Sequence, residues 1–164
     1  MKIIYKGSKL YSALGLIAYK LIHPLLNLIF KVHKSERSRV VICNNVSQEI
    51  ILVKNWLGSG KYQLPGGGIK LNEGPAQGAA REIEEELGLI LSHSNFKIIK
   101  KAEGHSYTKV FLLCEISSPL FSADTLQIAH HEITEVVSIK LEHINQIEKK
   151  IDYDTFDLLK TLEI

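Results

Sequence analysis

The residues best placed to do chemistry lie in one short stretch, PAQGAAREIEEEL, residues 75–87. It reads as a helix, with proline at its entry and Gly88 at its exit. At 3.6 residues per turn, Ala76, Ala79, Ala80, Ile83 and Leu87 share one arc of about 100°, which is the face a core would take. Glu82, Glu85 and Glu86 share a second arc of about the same width, and Glu84 points away from them. Three carboxylates at i, i+3 and i+4 repel one another, and they lie in the half of the helix where the dipole disfavours negative charge. Arg81, four residues before Glu85, offsets part of that repulsion. A solvated glutamate-rich face is one reading. The other is a site for a hard divalent cation, Mg²⁺ or Mn²⁺, whose preferred ligands are carboxylate oxygens. The context favours the cation, because Gly78 leaves the face open one turn before Glu82, and Gly66, Gly67, Gly68 and Glu73 lie just upstream. A glycine loop whose backbone can approach a ligand, beside cation-binding carboxylates, is what phosphate chemistry requires.

Other elements must position that helix. Residues 39–43 and 49–54 read as β-branched strands joined by the turn NNVSQ, and residues 61–64 as a short strand stopped by Pro65. Residues 96–101, 108–116 and 136–139 read as further strands, with a loop at 118–123. Residues 142–149 and 153–162 read as helical. Strands outnumber helices and the clear helix sits between strands, so the expected class is mixed α/β, of the α+β kind. The chain has 164 residues, 45% of them apolar and 23% charged, which excludes a disordered or collagen-like polypeptide. Its two cysteines, Cys43 and Cys114, are too few for a disulfide scaffold, and reduced thiols in a cytoplasmic protein are expected. A net charge of +2 gives no case for specific nucleic-acid binding.

The residues around the helix resemble a known family motif. GGIKLNEGPAQGAAREIEEELGL, residues 67–89, is similar to the Nudix box, G-x5-E-x7-R-E-U-x-E-E-x-G-U, where U is aliphatic. Gly67, Glu73, Arg81, Glu82, Ile83, Glu85, Glu86, Gly88 and Leu89 fill every fixed position. A looser likeness runs from about residue 39 to the end. The resemblance implies a mixed sheet sandwiched between helices and a Mg²⁺-dependent hydrolase of a nucleoside diphosphate linked to another group, with Mn²⁺ as a substitute. It makes Glu85 and Glu86 metal ligands, Glu82 a ligand or the base, and the Gly66 carbonyl a further ligand. Arg81 would orient the glutamates and Glu73 would tie the loop to the helix. Many members use another glutamate, outside the box, as base or ligand. Glu132, in HHEITEVV, is the candidate here, with His130 and His131 beside it.

The resemblance says less about the substrate. ADP-ribose hydrolases of the family commonly carry a proline about 16 residues after the box; there is none around His105, and the next is Pro119. Diadenosine polyphosphate hydrolases commonly carry a tyrosine at such a distance, and Tyr107 stands eighteen residues after Leu89. A dinucleoside polyphosphate is therefore slightly favoured over a nucleotide sugar or a (d)NTP. Gly67, Gly68, Tyr107 and Trp56 are the expected substrate contacts, and Tyr62 is a further stacking candidate. The alternatives are a nucleotide-sensing module without turnover and a membrane-recruited hydrolase of a lipid-linked diphosphate.

The first 34 residues lie outside the resemblance, which gives an expected division into a helical extension, 1–34, and a hydrolase domain, 35–164. Six lysines and no acidic residue fall in this segment, so the remainder carries fourteen basic and eighteen acidic residues. On a wheel, Lys9, Ser12, Lys20, His23, Asn27, Lys31 and Lys34 form a basic stripe about 100° wide on an otherwise apolar surface. That pattern suits peripheral membrane contact through residues 8–34. It equally suits packing against the chain's own domain or a homodimer partner. Pro24 is expected to kink the helix or to open a second one.

Overall fold

Alternation of buried side chains along the strands builds one sheet with both faces covered. The computed structural model describes residues 1–33, 35–104, 107–117 and 125–162; the loop expected at 118–123, His105 and Pro119 lie outside the described residues. In chain order the elements are β1 (Lys2–Lys6), α1 (Lys9–His33), β2 (Ser35–Asn44), β3 (Glu49–Asn55), α2 (Pro75–Leu87), β4 (Phe96–Glu103), β5 (Tyr107–Ile116), β6 (Ile133–Lys140) and α3 (Tyr153–Thr161). Among the described residues the sheet has six strands in the order β1-β6-β3-β2-β5-β4. The β2–β5 pair is parallel and the rest are antiparallel, so the sheet is mixed.

Val40 and Ile42 of β2, Ile51 and Val53 of β3 and Val110 and Leu112 of β5 pack with Ala79, Ile83 and Leu87 of α2 on one face. The residues between them in sequence, Val41, Cys43, Ile50, Leu52 and Phe111, pack with Leu158 and Leu159 of α3 on the other. That is the period-two alternation of a strand, repeated until helices cover both faces. Full burial of side chains such as Ile83 and Leu87 is worth about 1.5–3 kcal/mol each, which fixes the height and rotation of α2 over the sheet. Both cysteines are buried free thiols.

Three expectations are corrected by the backbone. Residues 2–6 belong to no helical extension; they form an edge strand antiparallel to β6, with Ile4 in the core. Residues 61–64 make only isolated bridges, Gln63 to Val53 and Tyr62 to Ile151, since Pro65 brings no N–H to extend a ladder. The expected helix at 142–149 is a 3₁₀ segment, Leu141–Lys150, broken at Ile147 and burying Ile144 and Ile147 at the three-residue spacing of such a turn. α1 continues through Pro24 as a single helix.

One face of α1 packs on the chain's own domain. Tyr11 stacks on Trp56 with ring centroids 5.3 Å apart, and the Trp56 indole N–H donates to the Tyr11 carbonyl at 3.0 Å. The Tyr11 hydroxyl donates to the His131 carbonyl at 3.0 Å. Gly15 makes this docking close: a Cβ there would lie 2.2 Å from the Trp56 carbonyl oxygen. Trp56 is the chain's single tryptophan. Gly15→Val is therefore expected to lever α1 away, red-shift the tryptophan emission and cost about 1–3 kcal/mol in denaturant unfolding. An unshifted spectrum and unchanged midpoint would show that the helix does not depend on this contact.

Candidate active site

α2 forms where the sequence places it. Pro75 occupies the first turn, and the Gly74 N–H donates to the Gln77 side chain at 2.8 Å. Gly88, in the left-handed region, donates its N–H to the Glu84 carbonyl and ends the helix. The carbonyls of Glu86 and Leu87 are taken up by the following loop, accepting from Ala129 N–H at 3.0 Å and Gln127 N–H at 2.9 Å. Those two bonds tether residues 125–132 to the end of α2 and bring Glu132 beside the helix glutamates. The loop before α2 lies along β2. Ser38 N–H donates to Gly67 at 2.8 Å, Val40 N–H to Pro65 at 2.9 Å and Ile69 N–H to Glu36 at 3.0 Å.

Arg81 joins loop and helix. Its Nε and Nη2 grip both oxygens of Glu73 at 2.7 and 3.0 Å, and Nη2 also donates to the Gly68 carbonyl at 2.8 Å. Its Nη1 donates to Glu82 at 2.7 Å and to Glu85 at 3.0 Å. The planar fork thus spends its donors on three carboxylates and one carbonyl, a geometry that lysine cannot copy. Hydrogen bonds from Arg81 and from the Lys70 N–H lower the Glu73 carboxyl to about 2. Glu73 foremost, with Glu82 and Glu85, raises Arg81 above its ordinary value.

Glu86 is held differently. It is buried, and its Oε2 accepts the Gly66 N–H at 2.8 Å. Burial raises its carboxyl to about 7 against the lowering effect of that bond and of Arg39; Glu82 and Glu132 add to the rise. Arg39 is half-buried, its desolvation lowers the guanidinium from the ordinary value, and it donates to the Gly66 carbonyl. Gly66 is clasped from both sides, at φ +120° and with Ser38 too near to admit a Cβ. A Cβ on Gly67 would stand 2.1 Å from Glu82 Oε2, whereas one on Gly68 would meet nothing within 4 Å.

A cavity of about 420 Å³ opens over these groups. Gly66, Gly67, Gly68, Glu82, Glu85, Glu86, Tyr107 and Glu132 all line it, with Arg37 and Arg39 from β2 and Tyr19 and His23 from α1. The Arg37 guanidinium lies 5.4 Å from the centre of the Tyr107 ring. Glu132 lies 3.4 Å from the His131 imidazole, while His130 turns away to pack on Tyr5. Trp56 is not brought in; it lines a separate cavity of about 340 Å³ beneath α1. Tyr62 is buried, with the Lys54 ammonium 4.1 Å above its ring. Arg37, Arg39, Tyr19 and His23 were missed in the sequence. The arginines carried a usable signal: two of only three in the chain stand two apart at the start of a strand, and the third is Arg81.

The donor set suits a divalent cation. The side chains offer carboxylate oxygens, and the Gly66 carbonyl keeps a lone pair beyond the one Arg39 uses. As the side chains stand, no three acidic, histidine or cysteine groups among the described residues converge on one point, and the positive group between Glu82 and Glu85 is Nη1 of Arg81. A cation held by Glu85, Glu86 and Gly66 would meet the negative charge that Arg81 leaves uncompensated.

A family model for the NUDIX domain matches residues 34–160. Over 54 residues the chain is 43% identical to an RNA pyrophosphohydrolase of Psychromonas ingrahamii, a stretch covering 33% of this chain and 29% of that protein, so it spans under a third of this relative's length. A bifunctional NMN adenylyltransferase/ADP ribose pyrophosphatase from Francisella tularensis, complexed with AMP and a manganese ion, superposes with a TM-score of 0.65 at 18% identity, over 77% of this chain and 40% of that one. A MutT structure from work on Aliivibrio salmonicida and Vibrio cholerae gives 0.56 at 16% identity, over 79% and 99%. At such identities these structures speak to the fold.

The Glu73 clamp has a definite pH signature. A carboxyl lowered on folding contributes stability that is complete above its ordinary value of 4.5 and is lost as pH falls toward about 2. The stability gap between the wild type and Glu73→Gln should therefore be constant above pH 5 and narrow steadily between 4.5 and 2, as read by urea unfolding across pH. A gap independent of pH would mean that the Glu73–Arg81 pair contributes nothing to folding.

Proposed function

The chain belongs to the NUDIX domain family, and from that premise we propose that it is a Mg²⁺-dependent hydrolase of a phosphoanhydride bond in a nucleoside diphosphate linked to a second group. The observation that carries the reading is the meeting, on one cavity, of Glu82, Glu85, Glu86 and Glu132 with the Gly66–Gly68 backbone and the Arg37 and Arg39 guanidiniums. Mg²⁺ bound by Glu85, Glu86 and the Gly66 carbonyl would neutralise phosphoryl oxygens and make a bound water more acidic. The Francisella structure named above, with AMP and manganese, supports that part of the reading.

The chain's own groups divide the remaining work. Arg37 faces the phosphates, where a planar fork can take two oxygens. Arg39 and Glu86 hold the glycine loop against β2 and α2, so that its backbone meets the substrate already in place. Arg81 pins Glu82 and Glu85, so their oxygens are already engaged by its guanidinium. Glu132, whose described ion-pair contact is the His131 imidazole at 3.4 Å rather than a guanidinium, faces the same cavity, so it is assigned the proton. Water oxygen bonds to phosphorus, the bridging P–O bond breaks toward the leaving phosphate, and the water's proton passes to a Glu132 carboxylate oxygen. Tyr107, with Tyr19 on the α1 side, offers rings for a base, which keeps a dinucleoside polyphosphate first in the order of substrates.

The test is phosphate release with Mg²⁺ over a panel: diadenosine tetraphosphate, ADP-ribose, nucleotide sugars, dNTPs and RNA with a 5′-polyphosphate end. One class should turn over. Glu85→Gln and Glu132→Gln should each lower kcat by about 10²–10⁴, and Arg81→Lys by about 10–100-fold. Gly67→Ala should damage activity by displacing Glu82, while Gly68→Ala, with open space for its methyl, should not. Tight nucleotide binding by the folded protein without metal-dependent turnover of any panel member would replace the hydrolase with a sensing module.

A further inference from the structure

The docked face of α1 leaves an opposite face with no covering. Leu10, Leu14, Ile17, Leu21 and Leu25 are all exposed, with Leu10 at 72%, Ile17 at 56% and Leu21 at 76%. Advancing by 100° per residue, the five fall within an arc of about 80°. Gly15 and Tyr19, which meet Trp56 and the catalytic cavity, lie on the other side of the helix. A row of five large apolar side chains in water is unfavourable, and a row this regular needs an occupant.

Charge decides which occupant. Lys9 and Lys20 flank the row at about 60–80° from its nearest members, and Lys2 and Lys6 lie on the neighbouring strand. No acidic residue occurs in the first 34, whereas the remainder has four more acidic than basic residues. A second copy of α1 laid on the same row would bring lysines to lysines with no carboxylate on either helix to pair them. An anionic lipid surface supplies apolar depth for the leucines and negative charge for the lysines at one plane. Among the described residues no helix is long and apolar enough to cross a membrane, so the helix would lie in the interface.

We infer that α1 docks this protein on anionic lipid bilayers through Leu10, Leu14, Ile17, Leu21 and Leu25, with Lys9 and Lys20 at the headgroups. Because Tyr19 and His23 of the same helix line the catalytic cavity, docking holds that cavity next to the bilayer surface. The inference rests on the helix surface and stands whether or not the cavity is a hydrolase site.

The experiment is flotation of the full chain with phosphatidylcholine vesicles, with and without 30% phosphatidylglycerol, alongside light scattering for oligomeric state. Binding is expected to be at least tenfold stronger with phosphatidylglycerol and to weaken with salt. Ile17→Glu/Leu21→Glu should lower it at least tenfold, and Lys9→Glu/Lys20→Glu should abolish the preference for anionic vesicles. The apolar side chains are exposed on the far side of the helix, and a second pair, Leu10→Gln/Leu14→Gln, repeats the test with milder changes. Hydrolysis of a soluble substrate, measured without vesicles, should be unchanged in all variants, which separates this inference from the proposed activity. Equal binding of wild type and variants would overturn it, as would absence of binding. A dimer that the Ile17/Leu21 variant splits would assign the face to a second copy instead.

Discussion

Everything at the carboxylate helix depends on a single guanidinium. Three glutamates on one helical face repel, and Arg81 offsets that repulsion by holding two of them, Glu82 and Glu85. By holding Glu73 and the Gly68 carbonyl with the other edge of its fork, it makes the loop and the helix a single body. The rest of the fold is built to keep that body in register. Ile83 and Leu87 set the rotation of α2 on the sheet, and Gly66 is held between the buried Glu86 and the half-buried Arg39. The glycine loop is therefore fixed against the helix in advance, and fixed dipoles are the condition under which electrostatic stabilisation is most effective.

Holding Gly66 between Glu86 and Arg39 is the costlier part. Glu86 is taken out of water and Arg39 partly so, and desolvation pushes each toward its neutral form. Desolvated charges add little to stability compared with well-packed apolar groups. Their presence is better understood through Gly66, whose N–H and C=O they fix at once. The protein accepts the desolvation of two ionisable groups and gains a backbone turn that is held from both sides.

The sequence carried α2 to the residue, because proline entry, glycine exit, alanine stripe and glutamate arc all followed one period. Most strands were legible for the same reason, through β-branched runs bounded by turn residues. What failed was long-range. β1 could not be told from the apolar, basic segment that follows it, since an edge strand of five residues is defined by a partner more than a hundred residues away. The sequence puts Arg39 at the start of a strand and Arg37 in the polar run before it, and marks neither as a site residue, because which residues of β2 look into a cavity depends on the loop laid along it. Tyr19 and His23 entered the cavity only through the packing of Gly15 under Trp56, and Trp56 left the expected substrate wall through the same contact. Local periodicity is written in the chain, whereas the neighbours of a side chain are a property of topology.

The pairing of β1 with β6 also governs the order in which the molecule can be made. Synthesis delivers residues 2–6 well over a hundred residues before their partners among the described strands, residues 135–138. A nascent chain therefore carries β1 without its sheet partner until β6 has left the ribosome. Contacts of such sequence separation form late and slowly. For most of its synthesis, the segment with the strongest need for cover is the one that has waited longest for it.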